Sequence, residues 1–235
     1  MKFLYLLIDL GSFLVPFIFS FHPKIRFNRY FRSVLISLFL VAVPFIVWDI
    51  FFTAKGVWGF NPKYLTGWYF FNLPIEEVLF FFMIPFSCLF TMYTLKKFWI
   101  RELQVEFLRY ILWGLVFVLL VVSFLNFNRY YTSWALFFDA LTLSFFLLYQ
   151  PKSVTSFFLS YLVLQIPFFI VNGILTGTGI EGEVVWYNNN ENLGIRALTI
   201  PIEDFFYGMT FILLNQIIFE RLTHHEAATK NEIGS

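Results

Sequence analysis

The chain has 235 residues, of which 59% are hydrophobic, 23% aromatic and only 13% charged, with a net charge of +1. Soluble domains carry about 25% charged residues, so the composition excludes an ordinary water-soluble domain, and so neutral a balance offers no basic face to nucleic acid. The single cysteine, Cys88, lies inside an apolar run, which excludes a disulfide framework and a cysteine-rich metal site.

Apolar runs follow one another at 3–21, 33–52, 74–95, 106–124, 132–149, 154–175 and 201–219. Each approaches or reaches the roughly 17–25 residues that cross a bilayer as a helix. Inside lipid the backbone must satisfy its own hydrogen bonds, which favours closed helices, and the alternation of a membrane barrel is absent. The pattern predicts an all-α integral membrane protein with about seven transmembrane helices. No A-x-A-like cleavage site follows the first run, so it reads as a retained helix. The fourth run carries Glu106 and Arg109 in its first turn. The polar ending "HHEAATKNEIGS" is expected to be disordered, and His22, His224 and His225 read as solvated or interfacial. No GxGxxG, Walker A, HExxH or CxxC pattern occurs, so neither a dinucleotide cofactor nor a metal is expected.

The chain also repeats itself at an offset near 127. "HPK" at 22–24 answers "QPK" at 150–152, and "VPFIVWD" at 43–49 answers "IPFFIVN" at 166–172. "VWGFN" at 57–61 answers "VWYNN" at 185–189, and "LPIEEVLF" at 73–80 answers "IPIEDFFY" at 200–207. The expected organisation is a first repeat over 1–95, a linker helix within 96–130, a second repeat over 131–220 and a polar tail over 221–235. Three crossings end on the side opposite their start, so an extra fourth helix returns the second copy to the orientation of the first. Two parallel three-helix repeats, related by an axis along the membrane normal, are the result.

Lys and Arg divide 11 to 5 between the two sides, with Arg101 among the larger group. The positive-inside rule then puts the N-terminus outside and the C-terminus in the cytoplasm, and the plasma (inner) membrane is the expected location.

The repeated motif sets two acids at the head of an apolar helix, Glu76 and Glu77 after Pro74, and Glu203 and Asp204 after Pro201. Proline suits the first helical position, and acids near it meet unpaired N–H groups and the positive dipole end. Capping alone would explain one such pair. Two pairs at one depth suggest a shared site, because charges within a bilayer usually face the bundle interior. Crowded carboxylates keep a proton among them, supplying an acid and a base. Asp49 and its counterpart Asn172 end helices on the same side. Trp58, Trp186, Phe80 and Tyr207 lie near the acids, and ring faces can shelter a cation by roughly 0.5–2 kcal/mol each. Acid, aromatic walls and little water suit proton-initiated chemistry on a hydrocarbon.

The "LPIEE" and "IPIED" motifs, in a fused seven-helix layout covering all but the tail, resemble the membrane-integral lycopene cyclase family, with its PxE(E/D) signature in each half. The resemblance implies cyclisation of the ψ ends of lycopene to β-ionone rings, giving β-carotene through γ-carotene, without a cofactor or net redox change. It places the acid and base roles on Glu76, Glu77, Glu203 and Asp204, with weaker supporting roles for Asp49, Asn172, Trp58, Trp186, Phe80 and Tyr207. Glu76 and Glu203 are favoured to face the substrate, because both repeats carry Glu there. The partners implied are a carotenoid within the membrane and the lipid itself. A cyclase of elongated carotenoids and a proton-coupled transporter are the competing readings.

Overall fold

A computed structural model describes residues 2–100, 105–150 and 152–233, the last ten of these by backbone alone. Arg101, counted above among the basic residues of one side, lies outside the described residues. The seven expected helices are present: α1 Leu4–Phe19, α2 Phe31–Ala54, α3 Ile75–Phe98, α4 Glu106–Leu125, α5 Tyr130–Tyr149, α6 Val154–Leu175 and α7 Ile202–Ile233. Six are long and apolar enough to cross a membrane, and α1 is a shorter apolar helix of 16 residues. Large side chains such as Leu35, Phe39, Phe117, Phe124, Leu162 and Ile166 are exposed on their outer faces. Side chains of this kind suit lipid, and the chain is an integral membrane protein.

Helix α7 continues to Ile233, through the stretch expected to be disordered. Glu226, Ala227, Ala228 and Lys230 are good helix formers, which accounts for the continuation.

The packing repeats as the sequence does. Helix α1 lies against α3 and α5 against α7; α2 crosses to α7 and α6 crosses to α3. Each half therefore completes the other. Helix α4 packs along α5, and the tail of the bundle away from the acids is closed by an aromatic cluster around buried Phe27 and Phe86.

Short strands carry the repeat into the loops. Strand β1 (Trp58–Phe60) pairs antiparallel with β4 (Val185–Tyr187), setting Trp58 opposite Tyr187 and Gly59 opposite Trp186. Moving each partner of the first pair by 128 residues gives the second pair, as a two-fold relation requires. Strand β2 (Tyr69–Phe70) turns back on β3 (Leu73–Pro74), and β5 (Arg196–Ala197) turns back on β6 (Ile200–Pro201). Phe71 and Leu198, at the same place in these hairpins, both take the left-handed conformation, with φ 55° and 58°. Such values suit the tight turns that join antiparallel strands.

The hairpins correct one expectation. Pro74 and Pro201 end strands instead of opening helices, and Pro74 is extended at φ −63° and ψ 148°. The helices begin one residue later, at Ile75 and Ile202, because each proline is held in the ladder by its hairpin. Both acid pairs still fall in the first helical turn.

Candidate active site

The two acids of each pair point to different places. Glu76 is fully buried and accepts a hydrogen bond from the Thr66 N–H at 2.6 Å. Glu203 is likewise buried and accepts from the Leu193 N–H at 2.7 Å and the Thr132 hydroxyl at 2.6 Å. In both repeats the donor N–H lies ten residues before the glutamate. These acids tie the incoming loop to the start of the helix.

Successive helical residues turn by about 100°, and the second acid of each pair faces elsewhere. Glu77 and Asp204 line one cavity of about 100 Å³ between the repeats, together with Asp49, Asn172, Trp58 and Tyr207. Phe80 is also in its wall. Glu76, Glu203 and Trp186 are not among the residues lining it. Of the four acids in the two motifs, Glu77 and Asp204 line this cavity. Trp186 is instead 41% exposed, and its ring lies over Gly59, where an added Cβ would come within 2.3 Å of it.

Around the cavity the carboxyl groups are held unequally. Glu77 Oε2 accepts from the Tyr5 hydroxyl at 2.6 Å, and Asp49 lines the same cavity beside it. Carboxyl groups crowded into one buried cavity keep a proton among them. Asp49 takes further donors from the Trp58 indole N–H and, at 3.2 Å, the Thr53 hydroxyl. Asp204 accepts three hydrogen bonds: from the Tyr131 hydroxyl, the Asn172 amide at 2.8 Å and the Tyr187 hydroxyl at 3.0 Å. An acceptor-only carboxylate satisfies all three. Burial, then the nearby Asp204, pushes the Tyr187 hydroxyl well above the usual phenol range, so it stays a donor.

The aromatic wall is continuous. The Tyr131 ring stacks on Tyr187 at 5.7 Å and meets Trp58 edge-on at 5.1 Å, and Tyr207 stands 6.2 Å from Tyr131. Tyr5 and Tyr131 were not anticipated from the sequence, although each opens the first helix of its repeat. Nor were Asp9 and Asp139, two fully buried acids within α1 and α5. Asp139 accepts from Thr210 at 3.0 Å, whereas neither oxygen of Asp9 has a hydrogen-bond partner among the described residues. An acid inside a spanning run is itself a functional signal, and that signal was available for both.

A scan against protein-family models matched one described as lycopene cyclase, over residues 2–95 and 128–222. The chain belongs to the lycopene cyclase family. The two matched segments are the two repeats, and the interval between them holds α4. Comparison with curated proteins and with solved structures returned no match. Membership makes the chain an enzyme of carotenoid cyclisation.

Proposed function

We propose that the chain is a lycopene β-cyclase in which Glu77 and Asp204, one from each repeat, carry the proton chemistry. The supporting observation is that these two acids line a single aromatic cavity between the halves. One proton enters at the terminal double bond of a ψ end, the tertiary cation closes the ring, and one ring proton leaves. The reaction is an isomerisation with no net redox change.

The unequal surroundings suggest the division of roles. A proton kept among the crowded Glu77 and Asp49 is the donor, and Asp204, surrounded by three donors, is the acceptor for the ring proton. General acid–base catalysis of this kind contributes about 10²–10⁴-fold. Trp58, Phe80 and Tyr207 present ring faces to the cation, each worth roughly 0.5–2 kcal/mol. Asn172 stands where the first repeat has Asp49, and orients Asp204 instead of sharing a proton with it.

The excess of Lys and Arg on the side away from the acids supports a cytoplasmic C-terminus and an acid station near the outer face. Expression in cells that accumulate lycopene, followed by pigment analysis, tests the reading. β-Carotene and γ-carotene are expected. Unchanged lycopene with the protein present in the membrane would end it, and cyclisation of an elongated carotenoid alone would shift the substrate.

A further inference from the structure

A duplicated acid station invites the idea that each repeat cyclises one end of a symmetric substrate. The space around the station argues otherwise. From the cavity at Glu77 and Asp204 a second cavity of about 200 Å³ continues between α1, α3, α6 and α7. The two share Phe80, Ile84, Phe168, Asn172, Gly208 and Ile212. Along α3 the channel runs from Glu77 to Thr91, about 21 Å at 1.5 Å per residue. Its flank is formed by half-buried Ser12 and Pro16 of α1 and by exposed Pro167 of α6, so it reaches the lipid-facing surface.

The channel walls suit a hydrocarbon. The hydroxyls of Ser12, Ser87 and Thr91 all donate to backbone carbonyls, at 2.8–3.0 Å, so none needs a partner in the channel; Gln165 Oε1 is a lining atom with no hydrogen-bond partner among the described residues.

The repeat-related space is filled. At three equivalent positions the closed side carries the larger side chain: Phe81 against Gly208, Trp48 against Val171, and Phe211 against Ile84. Phe81, Phe45 and Phe211 are all buried there. Their ring centroids are 4.8 Å apart for Phe45 and Phe211, and 5.5 Å apart for Phe81 and Phe211. On the open side an added Cβ at Gly208 would touch only Phe168, at an ordinary 3.8 Å. Gly208 thus leaves room that its backbone does not need.

We propose that the channel past Gly208 holds the polyene chain behind the reacting end, and that Phe81 closes its counterpart. The substrate then lies in the chain one way round. The two ends react in separate binding events, and the monocyclic product leaves into the lipid and returns reversed. This inference rests on the lycopene-cyclase reading of the acid station.

Two measurements on the full chain in liposomes test it. Cys88, the sole cysteine, lines the channel, so an apolar maleimide given at alkaline pH, where the buried thiol meets it as thiolate, should label it, and lycopene should slow that labelling at least about tenfold by filling the channel. Labelling indifferent to lycopene overturns the channel, whether or not the chain turns over. Protection without any cyclic product would instead sink the lycopene-cyclase reading while the channel stood. In the second measurement, labelled lycopene is supplied with excess unlabelled γ-carotene. Separate binding events predict a lag in labelled β-carotene and its dilution by the unlabelled pool. Labelled β-carotene without lag or dilution overturns the one-way reading. Gly208→Phe should lose at least about tenfold in both cyclisations and lose lycopene protection of Cys88. A folded Gly208→Phe with wild-type rates contradicts the proposal.

Discussion

Glu203→Ala should damage the fold more than Glu76→Ala, and the difference follows from what each glutamate holds. Removing Glu203 strips an acceptor from the buried Thr132 hydroxyl and from the part-buried Leu193 N–H. Leaving a buried donor unpaired costs about 1–3 kcal/mol, so two orphans cost roughly 2–6 kcal/mol. Removing Glu76 orphans only the Thr66 N–H, at about 1–3 kcal/mol. Glutamine keeps an acceptor oxygen at either position. Glu203→Gln therefore loses only the charged component of two bonds, about 1 kcal/mol each. Thermal melting of the detergent-solubilised protein, or proteolysis of the loops before α3 and α7, would order the variants. The expected order of stability is wild type, then the two glutamines, then Glu76→Ala, then Glu203→Ala. Melting curves for both alanine variants that match wild type, with turnover abolished, would refute the anchoring role.

Tyr131→Phe removes one of three donors on Asp204, and should lower turnover about tenfold or more while costing about 1 kcal/mol of stability. A rate equal to wild type in membranes would show that this donor does not position the base. Gly59→Ala should destabilise the β1–β4 ribbon by about 1–3 kcal/mol through overpacking on the Trp186 ring. Trp186→Ala in the same chain should recover most of that loss in a melting experiment. The Lys63–Glu181 pair is exposed, and Lys63 lowers the Glu181 carboxyl below its ordinary value. Its contribution would be present above the unfolded carboxylate range and lost as pH falls through the lowered value. Solvent screening makes that contribution slight, so Lys63→Ala should leave the melting temperature unchanged across that window. A reporter fused to the C-terminus should be active in the cytoplasm, and an outside location would reverse the assigned topology.

The helices and the duplication were legible because the bilayer imposes length and apolarity on each span, and because "LPIEE" and "IPIED" survive almost intact. Which acid of each pair lines the cavity was not. Treating Pro74 as the first helical residue missed the hairpin that holds it in a strand. Identity between repeats then singled out Glu76 and Glu203, which share a structural task. A duplicated site that holds both an acid and a base must break its own symmetry. The informative positions are therefore the ones that differ: Glu77 against Asp204, and Asp49 against Asn172. Tyr5 and Tyr131 stayed hidden because each reaches its carboxyl across more than 70 residues of chain. No local pattern records such a contact. The closed channel was equally invisible, since Phe81 and Gly208 acquire meaning only when α2, α3, α6 and α7 are packed together.

The central claim is that Glu77 and Asp204 perform the proton transfers while Glu76 and Glu203 hold the loops. Pigment analysis of four isosteric variants, expressed to equal membrane levels in lycopene-accumulating cells, tests it directly. Glu77→Gln and Asp204→Asn should each lower cyclisation by about 10²-fold or more, whereas Glu76→Gln and Glu203→Gln should keep rates within about tenfold of wild type. Full activity in Glu77→Gln and Asp204→Asn, with lycopene left unchanged by Glu76→Gln and Glu203→Gln, would contradict the account.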